Sequence, residues 1–192
     1  MEPTRASLLI RLKDPQDGAA WRELHELYGP LLYSFARSSG LNHDQADDIR
    51  ATCFEELVRQ LPTFEYDKAK GGFKALLRTM VHRRMIDLLR KRREAQADSS
   101  DLAGLPDRGL PPDEAWEASW RQHHLKHCVD RVRSQVPQAT FDAFQMLLDE
   151  DASVSKVCER LGLNANQVYK AKSRVLELVR REMLLLDPEC QV

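Results

Sequence analysis

Strand signals are almost missing from these 192 residues. Alternating β-branched runs are sparse, and no Asn-Gly or Asp-Gly pair joins two strand-like segments. That leaves little room for a sheet. Cysteine is scarce as well: Cys53, Cys128, Cys158 and Cys190 are widely scattered, with no Cys-x-x-Cys pair. Such spacing argues against a secreted disulfide framework and favours free thiols in a reduced compartment. No apolar run approaches the ~20 residues that cross a bilayer, and no signal peptide opens the chain. The expectation is a cytoplasmic protein. Phosphate loops, nucleophile elbows and paired carboxylates in a plausible cleft are missing too, so neither catalysis nor a cofactor is expected. His123 with His127, and His124 with Cys128, have an i, i+4 spacing that zinc tolerates. No further Cys/His pair completes a tetrahedral site, and no metal is expected.

Net charge is equally uninformative in bulk: 29 Lys plus Arg against 30 Asp plus Glu. Its distribution is not. The stretch "FKALLRTMVHRRMIDLLRKRR", Phe73 to Arg93, holds eight basic residues and one acid, Asp87. From Asp98 to Glu117 there are six acids and one Arg. Charge segregated in this way speaks of partners.

What fills the chain is helical periodicity. Leu24, Leu27, Tyr28, Leu31, Leu32 and Phe35 recur at three- and four-residue spacing behind Asp17, a suitable N-cap. Gly29-Pro30 predicts a bend in that helix or its division in two. Asn42 and Gln45 form a candidate capping box for a helix carrying Ile49, Cys53, Phe54, Leu57 and Leu61, which Leu61-Pro62 ends. In the basic stretch, Phe73, Leu76, Leu77, Met80 and Val81 share one face. Met85, Leu88 and Leu89 share another, rotated by roughly a third of a turn at ~100° per residue. The shift predicts a break, a bend or a change of packing partner near His82–Arg84; one long helix with a broad apolar face is the alternative. "AQADSSDLAGLPDRGLPP" reads as a flexible linker. Helical pattern resumes near Glu114, pauses at Pro137, and returns over 140–149, 154–161 and 164–186. The fold class expected is all-α: two small helical domains, 1–94 and 113–192, joined by an acidic linker over 95–112. Trp116 and Trp120, one turn apart, are expected to pack the second.

"VSKVCERLGLNANQVYKAKSRVLELVRRE" reads as a helix-turn-helix. Val157, Cys158 and Leu161 give the first helix its apolar face, Gly162 permits the turn, and Asn164 caps the second helix. Val168, Val175, Leu178 and Val179 bury that helix. Its other face carries Asn166, Gln167, Lys170, Lys172, Ser173 and Arg174, amides and cations of the kind that reach base edges and phosphates. Tyr169 is either a base contact or a core edge.

Together the two modules resemble a bacterial sigma factor of the extracytoplasmic-function group, and the likeness covers almost the whole chain. "WRELHELYGPLLYSFARSSGLNHDQADDIRATCFEELVRQLPTFEYDKAKGGFKALLRTMVHRRMIDLLRKRR" looks like that group's second conserved region. "GLNANQVYKAKSRVLELVRRE" is similar to the fourth, and "NQVY.AKSRVL" is similar to planctomycete-type members. The resemblance implies that Arg78, His82, Arg83, Arg84, Arg90 and Lys91 meet the minus-ten promoter element and help to melt it. It implies a minus-thirty-five contact through Asn164, Asn166, Gln167, Tyr169, Lys170, Lys172, Ser173 and Arg174. It implies that Asp47, Asp48, Ile49, Phe54 and Glu55 grip core RNA polymerase, and it admits an anti-sigma protein as a further partner. The chain departs from the group's pattern at Leu76, where Trp is usual, and at Arg83, where Asn is usual. Ala51 and Thr52 stand in place of Gln and Glu.

The function implied is promoter-specific transcription initiation with core polymerase and promoter DNA as partners. The alternatives are a polymerase-independent helix-turn-helix regulator and a helical adaptor whose basic faces only keep it in solution.

Overall fold

The computed structural model describes residues 4–65, 72–97, 113–149 and 153–186, and these form eight α-helices with no strand among them. The chain divides into two compact units, Ala6–Trp120 and Arg121–Val192 with Met1–Arg5.

In the first unit, α1 (Thr4–Arg11) leads by a short turn into α2 (Gly18–Ser38). Asp17 caps α2 by accepting from the Ala20 N–H at 2.9 Å, and its carboxylate also takes Arg11 at 2.9 Å. Leu24, Leu27, Leu31, Leu32 and Phe35 are all buried along one stripe, each contributing about 1.5–3 kcal/mol. The expected division at Gly29-Pro30 does not occur: α2 runs through Pro30 unbroken. The stripe crosses the proline on both sides, and its burial outweighs the one backbone hydrogen bond that proline cannot donate.

The helix α3 (His43–Gln60) starts at the expected capping box, Asn42 and Gln45 each accepting the other's backbone N–H at 2.9 and 3.0 Å. It ends in a 3-10 turn, Leu61–Thr63, with Pro62 inside it. Next comes α4 (Gly72–Ala97), a single helix of 26 residues. The phase shift read from the sequence is therefore not a break. Phe73, Leu77, Met80, Val81 and Met85 continue one buried stripe, whereas Ile86 is exposed and Leu88 and Leu89 are half-buried. The expected linker lies outside the described residues from 98 to 112; residues 95–97 belong to α4.

A second correction concerns α5 (Asp113–Arg133). Its first two turns belong to the first unit. Trp116 is buried edge-on against Phe35, ring centroids 5.0 Å apart, and Trp120 stacks on Tyr28 at 5.5 Å. Glycine- and proline-rich chain before residue 113 suggested a boundary there, but two indole rings find their apolar partners on α2. Lys74 and Arg78 of α4 add ion pairs to Glu117 and, at 3.0 Å, to Asp113.

In the second unit, α6 (Gln138–Met146), α7 (Val154–Leu161) and α8 (Ala165–Leu186) surround Ala143, Val157, Val168 and Ala171. Ser153 caps α7. Gly162 closes it at φ 65°, a left-handed conformation that costs an L residue roughly 1 kcal/mol. The end of α5 is held to α8 by Glu182, which is buried and takes Arg131 at 3.3 Å and Gln135 at 3.1 Å.

Candidate nucleic-acid interface

Two surfaces, one in each unit, carry the cations and amides singled out in the sequence.

On the first unit the surface is α4. Arg83 and Arg90 are well exposed, at 60% and 65%, and Lys91 is exposed beside them. Their partners, Glu56 at 3.6 Å for Arg83 and Asp87 at 3.6 Å for Arg90, are loose. The Arg90–Asp87 pair is exposed on both sides and of the kind worth at most about 1 kcal/mol, while Arg83 stands at 3.6 Å from a buried carboxylate that Arg84 holds more closely.

The other expected contacts on α4 are committed elsewhere. Arg84 donates to Glu56 Oε2 at 2.8 Å, and Glu56 is buried. Arg78 is engaged by Asp113 of α5. His82 lays its ring parallel to Phe35 with centroids 5.8 Å apart, and its Nε2 is buried without a hydrogen-bond partner among the described residues. Burial holds the His82 imidazole below its ordinary pKa, with Asp113 opposing and Arg78 adding to that shift. The ring is half-buried, stacked on Phe35, with Nε2 turned into the protein. Lys74, which sequence reasoning passed over as a contact, stands one turn from Arg78 and lies 5.8 Å from the Trp120 ring.

A cleft of about 210 Å³ separates α4 from α3, lined by Asp48, Ile49, Thr52, Arg84, Arg90 and Lys91 among others. Along α3 itself, Asp48, Ala51, Glu55 and Val58 form an exposed row at i, i+3, i+7 and i+10, with Val58 48% exposed. Asp47 lies beside this row, paired to Arg50 at 2.8 Å. Phe54 is half-buried against the His25 ring at 4.6 Å. Ile49 differs from expectation: it is 1% exposed and holds α3 in the core, contributing little beyond the wall of that cleft. Thr52 turns its hydroxyl back to the Asp48 carbonyl at 2.7 Å. Nearby, Cys53 is fully buried; desolvation, reinforced by Glu56 and opposed by Arg84, pushes its thiol up to about 12.

On the second unit, Asn164 and Gln167 form a reciprocal capping box at the start of α8, at 2.9 and 2.8 Å. Asn166, Tyr169, Lys170, Lys172, Ser173 and Arg174 are all exposed. Tyr169 is 58% exposed, which settles its open assignment against the core edge. Val168, Ala171, Val175, Leu178 and Val179 are buried, so a single helix separates an apolar face from a polar one. A second cleft, about 340 Å³, lies between α6 and α8 and is lined in part by Thr140, Gln167, Lys170 and Arg174. Thr140 had no signal in the sequence, because a threonine early in a short helix is ordinary until its neighbours in space are known.

The histidines of α5 do not assemble a ligand set: among the described residues no group of three or more His, Cys, Asp or Glu could hold a metal ion. Nor is any described helix long and apolar enough to cross a membrane.

Comparison with known proteins bears on the helices that carry the first of these surfaces. Residues 24–95, spanning most of α2 through α4, match the family described as sigma-70 region 2. Over 181 residues the chain is 24% identical to the ECF RNA polymerase sigma factor RpoE of Cereibacter sphaeroides, an alignment covering 92% of this chain and 93% of that protein. With an all-α fold and a basic α4 inside the matched region, the chain is similar over residues 24–95 to sigma-70 region 2 and, along nearly its full length, to an extracytoplasmic-function RNA polymerase sigma factor.

Proposed function

We propose that this chain binds core RNA polymerase, brings it to particular promoters and helps open them. The exposed row on α3 together with Asp47 and Phe54 is the docking face for the polymerase. Arg83, Arg90 and Lys91 on α4 engage the minus-ten element, where each phosphate neutralised releases counterions with a salt slope near −0.9 on duplex DNA. The exposed face of α8 reads the minus-thirty-five element in the major groove. The two units divide inside α5, between Trp120 and Arg121, so one chain carries both contacts, and joining them raises the effective concentration of the second. The protein works in the cytoplasm and supplies no chemistry of its own, since RNA synthesis belongs to the polymerase. An anti-sigma protein is a candidate restraint.

The observation that carries this reading is the exposed cation row Arg83, Arg90 and Lys91 of α4 inside the region matched to sigma-70 region 2. The test is run-off transcription with core enzyme over a genomic promoter library. A stoichiometric complex with core and new, promoter-specific starts are expected. Starts identical with and without the chain would overturn the reading; tight operator binding by the chain alone, with no polymerase contact, would replace it with a conventional regulator.

A further inference from the structure

The exposed face of α8 is not one surface but two. At ~100° per residue, Asn166 and Ser173 point almost directly away from the buried stripe of Val168, Ala171, Val175, Leu178 and Val179. Gln167 and Arg174 lie roughly 70–90° around from that stripe, on the side that faces α6, and Lys170 sits at the edge between the two directions. There they line a cleft of about 340 Å³ with Thr140 across from them, over an apolar floor of Leu163 and Ala171.

The chemistry of this cleft suits a polyanion. Lys170 and Arg174 bring two cations, and none of the described lining residues is acidic. Arg174 touches Glu177 only at 3.8 Å, in an exposed pair that a phosphate displaces with little resistance. The Gln167 side-chain oxygen is taken by the Asn164 N–H, which leaves its amide NH₂ to donate. Thr140 supplies a hydroxyl from a different helix. Donors and cations converging from two helices fix the position of a phosphodiester, whereas base recognition needs a side chain projecting straight into the groove.

Resting on the reading of α8 as a promoter-binding helix, we infer that the α6–α8 cleft seats a backbone phosphate of the DNA. Thr140 is a previously unassigned contact to it, and base readout falls to the outward row of Asn166 and Ser173. Seated in this way, the phosphate sets how deep α8 enters the groove and in what register.

The test uses the full chain assembled with core polymerase, and duplex promoters carrying single neutral methylphosphonates scanned along the minus-thirty-five element. Thr140→Val should lower affinity about tenfold, the scale of a lost hydrogen bond to a charged group, equally across minus-thirty-five sequence variants. Thr140→Ser, which keeps the hydroxyl, should bind as the parent does, separating the contact from a folding defect. Arg174→Gln should reduce the salt slope by about 0.9. One methylphosphonate should reproduce the Thr140→Val loss and leave that variant no further loss to suffer, while Asn166→Ala and Ser173→Ala should change which sequences are preferred. The inference is overturned if no methylphosphonate masks the Thr140→Val effect, or if Thr140→Val leaves affinity unchanged or alters sequence preference instead. Should the parent chain form no promoter-specific complex with core, the functional reading fails separately, and the same methylphosphonate scan on duplex bound by the chain alone still decides the cleft.

Discussion

Arg84 donates to Glu56 at 2.8 Å across the α3–α4 interface, and Glu56 is so deeply buried that its carboxylate has little other contact with water. Gln60 reaches the other carboxylate oxygen at 2.9 Å from one turn further along α3. The most basic helix of the protein is thus anchored through one of its own cations, while Arg83, Arg90 and Lys91 face out. Breaking a buried pair by removing one partner costs about 3–5 kcal/mol, and less where the surviving charge can reach water, as Arg84 can. Glu56→Ala is expected to destabilise the first unit by about 2 kcal/mol, read as a lower urea midpoint with little change in slope. A midpoint matching the parent's would mean that the pair does not hold α4 in place.

Cys53 lies one turn before Glu56, and its thiol is pushed up to about 12 by burial first and by the Glu56 carboxylate second. An unfolded cysteine ionises at about 8.5. The folded value is raised, so the native state holds the proton after the unfolded chain has begun to lose it. The stabilisation is complete below about pH 8.5 and drains away as pH climbs toward 12. Unfolding free energy should therefore fall over that alkaline window, and Cys53→Ala should flatten the fall whatever offset the lost sulfur adds. Stability profiles of the two proteins measured by chemical denaturation from pH 7 upward check this; parallel profiles would count against it. The same burial predicts that thiol reagents label Cys53 only after unfolding.

How legible this molecule was depended on how local each determinant is. Asp17, Asn42 with Gln45, and Gly162 act within a turn of their own positions, and each cap appears where the sequence puts it. The stripe on α2 was equally plain, since burial of one face at 3.6-residue spacing needs no knowledge of the partner. Of the bend or division expected at Gly29-Pro30, the division does not occur, because proline's local cost is outweighed by packing that only the tertiary structure supplies. Of the readings that the phase shift in α4 allows, the single helix excludes the break alone. Polar residues interrupt its apolar stripe because Arg84 and His82 find partners on α3 and α2, Glu56 and Phe35, and a pattern read along one helix contains neither. The same holds for the candidate site: Arg83, Arg90 and the α8 face were visible as exposed charge, whereas the engagement of Arg78 by Asp113, the burial of Ile49 and the position of Thr140 all arise between distant segments.

Trp116 and Trp120 give the sharpest measure of that non-local component. Both are buried, and both belong to the unit built mainly from α1 to α4. Tyr28, Phe35 and Trp116 form a continuous run of ring contacts with Trp120 at 5.0–5.8 Å. Truncating a buried tryptophan to alanine typically costs 3–5 kcal/mol through lost transfer energy and the cavity left behind. Trp116→Ala should accordingly lower the stability of the first unit by about 4 kcal/mol, and Trp116→Phe, which keeps a ring against Phe35, by about half of that. If Trp116 packed on the second unit instead, the first would keep its parent midpoint and only the transition of the second would move. Hydrogen exchange resolved by segment distinguishes these outcomes directly: amides of α2 and α4 should lose protection in Trp116→Ala, while those of α7 and α8 keep theirs.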